Sequence, residues 1–405
     1  MTVILEPTAS PKPTMTGALG NRRLFADPAY HFQALRVLND VASGGADVTE
    51  VLETIGVIHG GDAGGWYDAW AATAKRNFDR AEGTRDPVSK GLAYLRAHTY
   101  WRTAEFLLKA EDIRRPSAWT SQVDAFDRGL NALGVVHERM SVPYEKGALR
   151  TIFYPGPPGW QTKPLIAFVG GEDSTLEELY FVLVPAAYRR GYGVLTYEGP
   201  GQGAALREHG LFFTAEWEKP NAAVFDAYLG THAKPPSIVL VGMSMGGYFA
   251  PRAAAFEPRI DGVVSYDVCY DVAEIVRHFA ALARDPATSG ASGVAGLIDS
   301  VRWTFGVQTL EEVIERSSGY SLVDVVGRIS CDVLVLGGTE DEFVPFAQAA
   351  AYVEALTGAR SVEKAIYDRA SGGAEHCQEG AGTLWQGTFF DWLLRRFPGL
   401  PSAPR

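Results

Sequence analysis

The sequence contains few cysteines, which limits the kinds of site that it can form. Only three occur in 405 residues, and no two of them have the C-x-x-C spacing. Cysteines this far apart (Cys269, Cys331 and Cys377) predict neither a disulfide framework nor a zinc site. They are typical of a reducing compartment, so we expect a cytoplasmic protein that binds no metal.

The sequence also lacks a long apolar run and a surplus of basic residues. No run approaches the roughly 18 apolar residues that a membrane-spanning helix requires, and residues 1–20 do not have the pattern of a signal peptide. The 48 Asp and Glu outnumber the 37 Lys and Arg, giving a formal net charge of −11. This excess of negative charge disfavours nucleic acid and anionic membrane surfaces as partners.

The pattern of apolar residues divides the chain into three predicted parts. Residues 1–28 contain several prolines and glycines and are predicted to form a flexible arm. Apolar residues at helical spacing predict a helical lid domain over residues 29–132. Within it, the glycine-rich segment 60–65 follows no strand and precedes no lysine, so it predicts no nucleotide cofactor. Residues 133–405 form the third part.

The third part has the pattern of an α/β fold. An antiparallel pair of strands is predicted over residues 135–142 and 148–154. Later short apolar runs, separated by helix-length segments, predict a mostly parallel sheet flanked by helices. The alanine-rich residues 271–328 interrupt this rhythm, with a break at Asp285-Pro286. We expect them to be a helical insertion that contributes lid elements.

A glycine-flanked serine follows one of the predicted strands. The segment Gly242-Met243-Ser244-Met245-Gly246 fits the G-x-S-x-G pattern of a nucleophile elbow. In such a turn the chain crosses itself so closely that the positions two before and two after the serine must lack bulk. The strained backbone then exposes the serine hydroxyl. The motif predicts Ser244 as a nucleophile.

A serine nucleophile needs a base and an acid that orients the base, and the order of the chain selects both. In folds with this elbow, the acid and then the histidine follow the serine. Only two of the eight histidines follow Ser244, and His278 lies in the predicted insertion, so His376 is the predicted base. Asp341 is the predicted acid because it follows a predicted strand and precedes the residues x-x-Val-Pro, the usual form of this loop.

Two backbone N–H groups are predicted to stabilise the oxyanion that forms when Ser244 attacks a carbonyl group. One belongs to Met245, directly after the nucleophile. The other belongs to Glu172, in the loop Gly170-Gly171-Glu172 that follows a predicted strand. The Glu172 carboxylate is expected to face solvent or pair with a cation. If burial raised its pKa, it could instead donate a proton.

Four residues are candidates for contact with an apolar substrate. Gly171 lies in the predicted oxyanion loop, and Trp66, Tyr67 and Tyr100 lie on predicted lid helices. Small residues beside aromatic ones on these helices also indicate close packing between helices. Two hypotheses therefore stand for the aromatic side chains, namely packing in a core and lining of a substrate pocket.

Together these motifs resemble the α/β-hydrolase fold over residues 135–398. They are most similar to the branch that contains 2,6-dihydroxypseudooxynicotine hydrolase and the fungal hydrolases that shorten polyketide chains. The segments that carry the resemblance are 66–70, 93–102, 170–180, 197–203 and 373–377. Glu172 departs from the branch, in which an apolar or aromatic residue is usual at this position.

The resemblance implies a serine hydrolase of secondary metabolism that cleaves a C–C bond next to a carbonyl group. Its substrate would be a small, hydrophobic, polyketide-like or aromatic ketone, and the protein would be a homodimer with an N-terminal helical lid. Three alternatives stay open. The same triad could cleave an ester, lactone or thioester, or it could transfer or cyclise an acyl group under a lid that excludes water. A ligand-binding module without catalysis is the third, and the complete triad disfavours it.

Overall fold

Eight strands form one sheet in the computed structural model, which describes residues 23–284 and 292–398. The strands are β1 (Glu138–Tyr144), β2 (Gly147–Tyr154), β3 (Leu165–Val169), β4 (Val194–Tyr197), β5 (Ile238–Met243), β6 (Gly262–Tyr266), β7 (Asp332–Gly338) and β8 (Ser361–Tyr367). Their order is β1-β2-β4-β3-β5-β6-β7-β8. The pairs β1–β2 and β2–β4 are antiparallel, and all others are parallel. This is the mostly parallel sheet that the sequence predicts.

The register of the central strands brings together the loops that follow β3, β5 and β6. Val169 of β3 pairs with Gly242 of β5, and Gly242 pairs with Ser265 of β6. Because these strands are parallel, their carboxyl ends meet at one edge of the sheet, where open α/β sheets bind ligands. The loops that contain Glu172 and Ser244 both leave the sheet at this edge.

Helices cover both faces of the sheet because its central strands are apolar on both sides. Phe168 of β3 belongs to the same buried cluster as Phe389, whereas its neighbour Val169 belongs to the cluster of Phe249 on the opposite face. This alternation follows from the two-residue period of a strand. The helices outside the N-terminal region and the insertion are α6 (Glu178–Arg189), α7 (Gly203–Arg207), α8 (Glu218–Thr231), α9 (Gly246–Ala254), α13 (Ala347–Ala355) and α14 (Gly382–Arg396).

Within the described residues, five α-helices precede the sheet, in the region where the sequence predicts a helical domain. They are α1 (Pro28–Asn39), α2 (Val48–Ile55), α3 (Ala63–Gly83), α4 (Pro87–Phe106) and α5 (Arg115–Leu133). Trp66, Trp70 and Tyr100 are fully buried in their core, and the indole N–H of Trp66 donates to the carbonyl oxygen of Thr103 at 2.7 Å. Most of the predicted N-terminal arm, residues 1–22, lies outside the described residues.

In the part of the chain that the structure describes, three α-helices lie between β6 and β7, where the sequence predicts an insertion. They are α10 (Val272–Arg284), α11 (Ser292–Phe305) and α12 (Leu310–Ser317). Thr309 begins α12 with a capping box, because its hydroxyl accepts from the N–H of Glu312 at 3.2 Å and the Glu312 carboxylate accepts from the N–H of Thr309 at 2.8 Å. The predicted break at residues 285–286 is outside the described residues. Over the described ranges, no helix combines the length and apolar composition needed to cross a membrane.

Candidate active site

Ser244 occupies a tight turn between β5 and α9. Its φ of 57° lies in the left-handed region, which is uncommon for residues other than glycine and is often found at functional sites. The Ser244 N–H donates to the carbonyl oxygen of Tyr266 at 2.6 Å, which ties the turn to the end of β6. The turn therefore has the backbone conformation that the G-x-S-x-G motif predicts.

Glycine is required on both sides of this turn because the chain passes very close to itself. A Cβ atom at Gly242 would lie 1.9 Å from the carbonyl oxygen of Gly246. At Gly247, a Cβ atom would lie 1.7 Å from the carbonyl oxygen of Asp267. Helix α9 can therefore lie close to β5 and β6 only because these positions have no side chain.

His376 links Ser244 to Asp341 through its two ring nitrogens. The His376 Nε2 atom lies 2.9 Å from Ser244 Oγ, and the Nδ1 atom lies 2.6 Å from Asp341 Oδ2. The side chains of His376 and Asp341 are both buried. The structure thus brings the three residues selected by chain order into the hydrogen-bonded arrangement that nucleophilic catalysis by serine requires.

Backbone groups and charge fix the orientation of this pair. Asp341 Oδ1 accepts from the N–H groups of Phe343 at 2.7 Å and Val344 at 2.8 Å, which leaves Oδ2 for the histidine. Burial is the largest single influence on the pKa of His376 and lowers it, but the Asp341 carboxylate and Cys377 together more than offset burial and raise that pKa above its ordinary value. The Asp341 carboxylate therefore favours the imidazolium form that His376 would adopt on taking a proton from Ser244.

The loop Gly170-Gly171-Glu172 packs directly against the serine. A Cβ atom at Gly171 would lie 2.6 Å from the Ser244 Cβ atom. The Gly171 N–H donates to Ser174 Oγ at 2.7 Å, and the Gln202 side-chain amide donates to the carbonyl oxygens of Gly170 at 2.9 Å and Gly171 at 2.6 Å. The glutamine in the segment 197–203 therefore holds the loop in which we predict an oxyanion donor.

A cavity of about 530 Å³ opens above Ser244. Met245, Glu172 and His376 line it together with the serine. Most of the remaining wall is apolar, and it comes from α1, the end of α4, α10, α11, α12 and the loop after β7. Its aromatic side chains are Phe32, Phe106, Phe279, Phe305 and Phe343. The predicted insertion and the N-terminal helices therefore both shape the space in front of the serine.

The aromatic residues proposed as substrate contacts lie elsewhere. Trp66 and Tyr100 are fully buried in the N-terminal helical core and are not part of the cavity wall, so packing is their observed role. Tyr67 packs under the Arg114 guanidinium, 4.5 Å from its ring centroid, and is also absent from the wall. Gly171 contacts Ser244 from the side without lining the cavity. Helical periodicity shows which residues of a helix are buried. It does not show whether they pack inside the helical region or line the cavity next to the sheet.

The Glu172 side chain faces hydroxyl groups of α11 instead of a cation or bulk solvent. Its Oε1 accepts from Ser300 Oγ at 3.0 Å and from Thr304 Oγ1 at 2.9 Å. Burial and the adjacent Asp173 raise its pKa to about 7, although the two hydroxyls and Arg115 act in the opposite direction. A substantial share of Glu172 is therefore protonated at neutral pH.

A second carboxylate, that of Asp267, lies beside His376. It directly follows β6, and its Oδ2 lies 3.9 Å from His376 Nδ1 and accepts from the N–H of Cys377 at 2.9 Å. The Gln378 side chain donates to its Oδ1 at 3.2 Å. Burial and the charge of Asp341 raise the pKa of Asp267 to about 7. Sequence reasoning missed this residue, although its position after a predicted strand was an available signal.

Asp267, His376 and Cys377 are the one group of described residues with the composition and spacing of a metal site. His376 is already hydrogen bonded on both nitrogens. Burial raises the pKa of the Cys377 thiol to about 11, so the thiol is protonated, whereas a thiolate is the form that binds metal. We interpret Asp267 and Cys377 as residues that hold His376 in position and not as metal ligands.

Buried charges connect the N-terminal helices to the loop after β3. Arg36 of α1 forms ion pairs with Asp173 and Glu178, and Arg102 of α4 bonds Asp173 at 2.8 Å. Glu379 is also buried and lines the cavity, and its Oε2 has no hydrogen-bond partner among the described residues. Burial raises the pKa of Glu379 to about 7. Arg36 and Arg102 stand 137 and 71 positions before Asp173, so no local pattern in the sequence indicates these contacts.

Comparison with known proteins gives a consistent result. The model of the alpha/beta hydrolase family matches residues 159–377. Hydrolase acrC of Aspergillus aculeatus is 33% identical over 93% of this chain and 98% of its own length. The 20-hydroxy-prefusarin hydrolase FUS2 of Gibberella moniliformis is 32% identical over 93% of this chain and 98% of its own length. The crystal structure of 2,6-dihydroxy-pseudo-oxynicotine hydrolase aligns with a TM-score of 0.73 at 24% identity, over 91% of this chain and 98% of that one.

Proposed function

This chain belongs to the α/β-hydrolase family, and we propose that it is a serine hydrolase that cleaves a C–C bond next to a carbonyl group. The substrate would be an apolar, polyketide-like or aromatic ketone of secondary metabolism. The observation that carries the proposal is the placement of His376 within 2.9 Å of Ser244 Oγ and 2.6 Å of Asp341 Oδ2. FUS2 and acrC are both named as hydrolases, which agrees with this proposal.

In the proposed reaction, Ser244 Oγ attacks the ketone carbonyl while His376 Nε2 takes the hydroxyl proton. Asp341 stabilises the imidazolium that results. The carbonyl oxygen becomes an oxyanion and receives hydrogen bonds from the backbone N–H groups of Glu172 and Met245. When the C–C bond breaks, an acyl group remains on Ser244, and the leaving carbon takes a proton from the His376 imidazolium or from a second acid. Water, activated by His376, then hydrolyses the acyl-enzyme.

The cavity supports the choice of an apolar ketone. Its volume of about 530 Å³ and its aromatic and aliphatic walls suit a hydrophobic molecule of moderate size. Phe32 and Phe343 pack around the base, with ring centroids 6.0 and 5.1 Å from that of His376. Such walls exclude bulk water from the carbanion that forms as the C–C bond breaks.

Labelling and product analysis test the proposal. A fluorophosphonate probe is expected to label the wild-type protein at Ser244 and to leave Ser244→Ala unlabelled. The wild-type protein is then offered benzoylacetone, a β-diketone, and phenyl acetate, an ester, and the products are identified by mass. Cleavage of the diketone supports the proposal. Cleavage of the ester alone assigns the same triad to an esterase, and equal labelling of both proteins removes Ser244 as the nucleophile.

We retain two further proposals from the sequence, a cytoplasmic location and a homodimer. The resemblance to the hydrolase branch supports the dimer, and the three unpaired cysteines support a reducing compartment. Analytical ultracentrifugation of the purified full chain tests the dimer, because a sedimentation mass of one chain at micromolar concentration contradicts it. Fractionation of the source cells tests the location.

A further inference from the structure

Glu172 lies between the substrate cavity and a second, much smaller cavity. It lines both of them. The second cavity has a volume of about 20 Å³, which is enough for one water molecule. Three of the residues that line it have a buried side-chain atom without a hydrogen-bond partner among the described residues, namely Nε of Arg115, Oε1 of Gln122 and Oγ1 of Thr175. A water molecule in this cavity would lie among polar side chains that include Glu172.

The hydroxyls of α11 accommodate both protonation states of Glu172. Thr304 Oγ1 lies 2.9 Å from Glu172 Oε1 and 3.2 Å from the carbonyl oxygen of Val301. A hydroxyl has a single hydrogen, so it donates either to the carboxylate or to the carbonyl. In the second case, Thr304 accepts from a protonated Glu172. Ser300 Oγ, 3.0 and 3.3 Å from the two carboxylate oxygens, can rotate in the same way.

Charged groups surround Glu172 on both sides. Asp173, its neighbour in the loop, favours the protonated form, and Arg115 of α5 favours the carboxylate. The remaining titratable or charged side chains that share a cavity with Glu172 are those of Asp27, Arg36, Arg102, Glu105, Arg207, Cys269, Glu342, His376, Cys377 and Glu379. Burial makes the largest contribution and, with Asp173, brings the pKa of Glu172 to about 7. The group can therefore exchange a proton near neutral pH.

We propose that Glu172, in its protonated form, is the catalytic acid that protonates the leaving carbon, which extends the proposed function and rests on it. Ser244 Oγ bonds to the carbonyl carbon as its proton moves to His376. The C–C bond breaks, its electron pair stays on the leaving carbon, and that carbon takes the proton of Glu172. Glu172 then regains a proton from solvent through the small cavity, and His376 releases its own proton to solvent before water attacks the acyl-enzyme.

A separate acid solves a problem that an ester does not present. A phenolate leaves an acyl enzyme without needing a proton, whereas a carbanion is far more basic and benefits from protonation as it forms. A neutral Glu172 also removes a negative charge from the loop whose N–H is the predicted oxyanion donor. A negatively charged Glu172 would repel the oxyanion at that position. Protonation of Glu172 therefore favours both the formation of the oxyanion and the departure of the carbon leaving group.

The isosteric variant Glu172→Gln separates this role from the triad. We expect benzoylacetone cleavage to fall by about 100-fold or more, in line with general acid catalysis. Hydrolysis of phenyl acetate is expected to change far less than diketone cleavage, because the phenolate leaving group needs no proton, and labelling by the fluorophosphonate probe reports that the variant folds. Glu315→Gln, the same change at an exposed position of α12, is the matched control and is expected to leave every rate unchanged.

The pH dependence provides a second readout. Diketone cleavage by the wild-type protein is expected to decline at alkaline pH, because the acid must be protonated. Ser300→Ala and Thr304→Val each remove a donor that favours the carboxylate, so both are expected to raise the pKa of Glu172 and increase the alkaline rate relative to wild type. All variants share the ionisation of the substrate, so this ionisation cancels in the comparison.

The outcomes distinguish the two proposals. If the wild-type protein cleaves the diketone and Glu172→Gln cleaves it as fast, the assignment of Glu172 is overturned while the proposed function stands. An unchanged alkaline rate in both α11 variants overturns it as well. If the wild-type protein hydrolyses only phenyl acetate, the proposed function fails, and the role of Glu172 in carbon protonation fails with it.

Discussion

The Asp267 carboxylate lies 3.9 Å from the same His376 nitrogen that is hydrogen bonded to Asp341 at 2.6 Å. Two acids thus face one base, and their environments differ. The pKa of Asp267 is raised to about 7 by burial and by the charge of Asp341. Asp341 accepts from two backbone N–H donors on its other oxygen, and it is the carboxylate that we propose to stabilise the imidazolium.

Replacing each acid by asparagine should therefore have unequal effects. Asp341→Asn is expected to lower kcat by about 10⁴-fold, by analogy with triads in which this change leaves the wrong tautomer of histidine. Asp267→Asn disturbs only the hydrogen bonds that the carboxylate accepts from Cys377 and Gln378. We therefore expect kcat to fall by about tenfold, which is the equivalent of one hydrogen bond. Steady-state kinetics on the preferred substrate measure both, and the reverse ranking contradicts the assignment of Asp341.

The crossing of α9 over the sheet predicts a severe effect of a single methyl group. Gly247→Ala places a Cβ atom 1.7 Å from the carbonyl oxygen of Asp267, so the backbone must move. We expect the free energy of unfolding to fall by about 3 kcal/mol, as for overpacked cores. Gly387→Ala is the control, since a Cβ atom there meets nothing within 4 Å in the middle of α14. Urea denaturation compares the two, and equal stabilities contradict so close a crossing.

The ion pairs of Arg36 predict a stability that depends on pH. Burial by itself would raise the pKa of the Asp173 carboxyl group. Arg36 and Arg102 together have the larger effect and bring that pKa down to about 2. A carboxylate whose pKa is lower in the folded than in the unfolded chain stabilises the fold above the unfolded value, near 4, and this stabilisation is lost as pH falls towards 2.

Arg36→Met should therefore destabilise the protein by about 3 kcal/mol at pH 7, because it leaves buried carboxylates without a partner. The difference from wild type is expected to narrow as pH falls from 5 to 3. Arg128→Met, which removes an exposed cation of α5, is the control and should have little effect at any pH. Denaturant titrations at several pH values measure these differences. A difference that stays constant with pH shows that charge is not its cause.

Phe32 gives a prediction about substrate binding. Its ring packs 4.9 Å from that of Phe343 and lines the cavity, so Phe32→Ala removes apolar surface that a substrate would cover. We expect KM for an apolar substrate to rise about tenfold with a smaller change in kcat, which corresponds to roughly 1.4 kcal/mol of lost burial. Tyr188→Ala, at an exposed aromatic residue of α6, should leave KM unchanged. An unaltered KM in Phe32→Ala places the substrate elsewhere in the cavity.

Local patterns in the sequence predicted the sheet and selected Ser244, Asp341 and His376, which the structure brings within hydrogen-bond distance. The strands are short apolar runs bounded by turns, and the elbow around Ser244 needs glycine for steric reasons that act over four residues. His376 and Asp341 followed from the order of the chain, because the carboxyl ends of parallel strands share one edge of the sheet. Such constraints are local or topological, so the amino-acid sequence contains them.

The walls of the site could not be predicted in this way. Trp66 and Tyr100 have the same helical spacing as Phe32, yet they face the inside of the helical region and Phe32 faces His376. The partners of Glu172 come from α11, about 130 residues further along the chain. Which face of a helix meets a distant loop depends on how whole domains dock, and periodicity within one helix does not encode that.

Helix α1 combines two functions within about one turn. Phe32 forms part of the cavity wall, and Arg36 pairs with Asp173 and Glu178, which adjoin the predicted oxyanion loop. The N-terminal region is therefore not an exchangeable module for altering specificity. A chimera that takes this region from a relative must also take the acidic residues that pair with its arginine. Without them, a change made to broaden the pocket would also displace the loop beside the nucleophile.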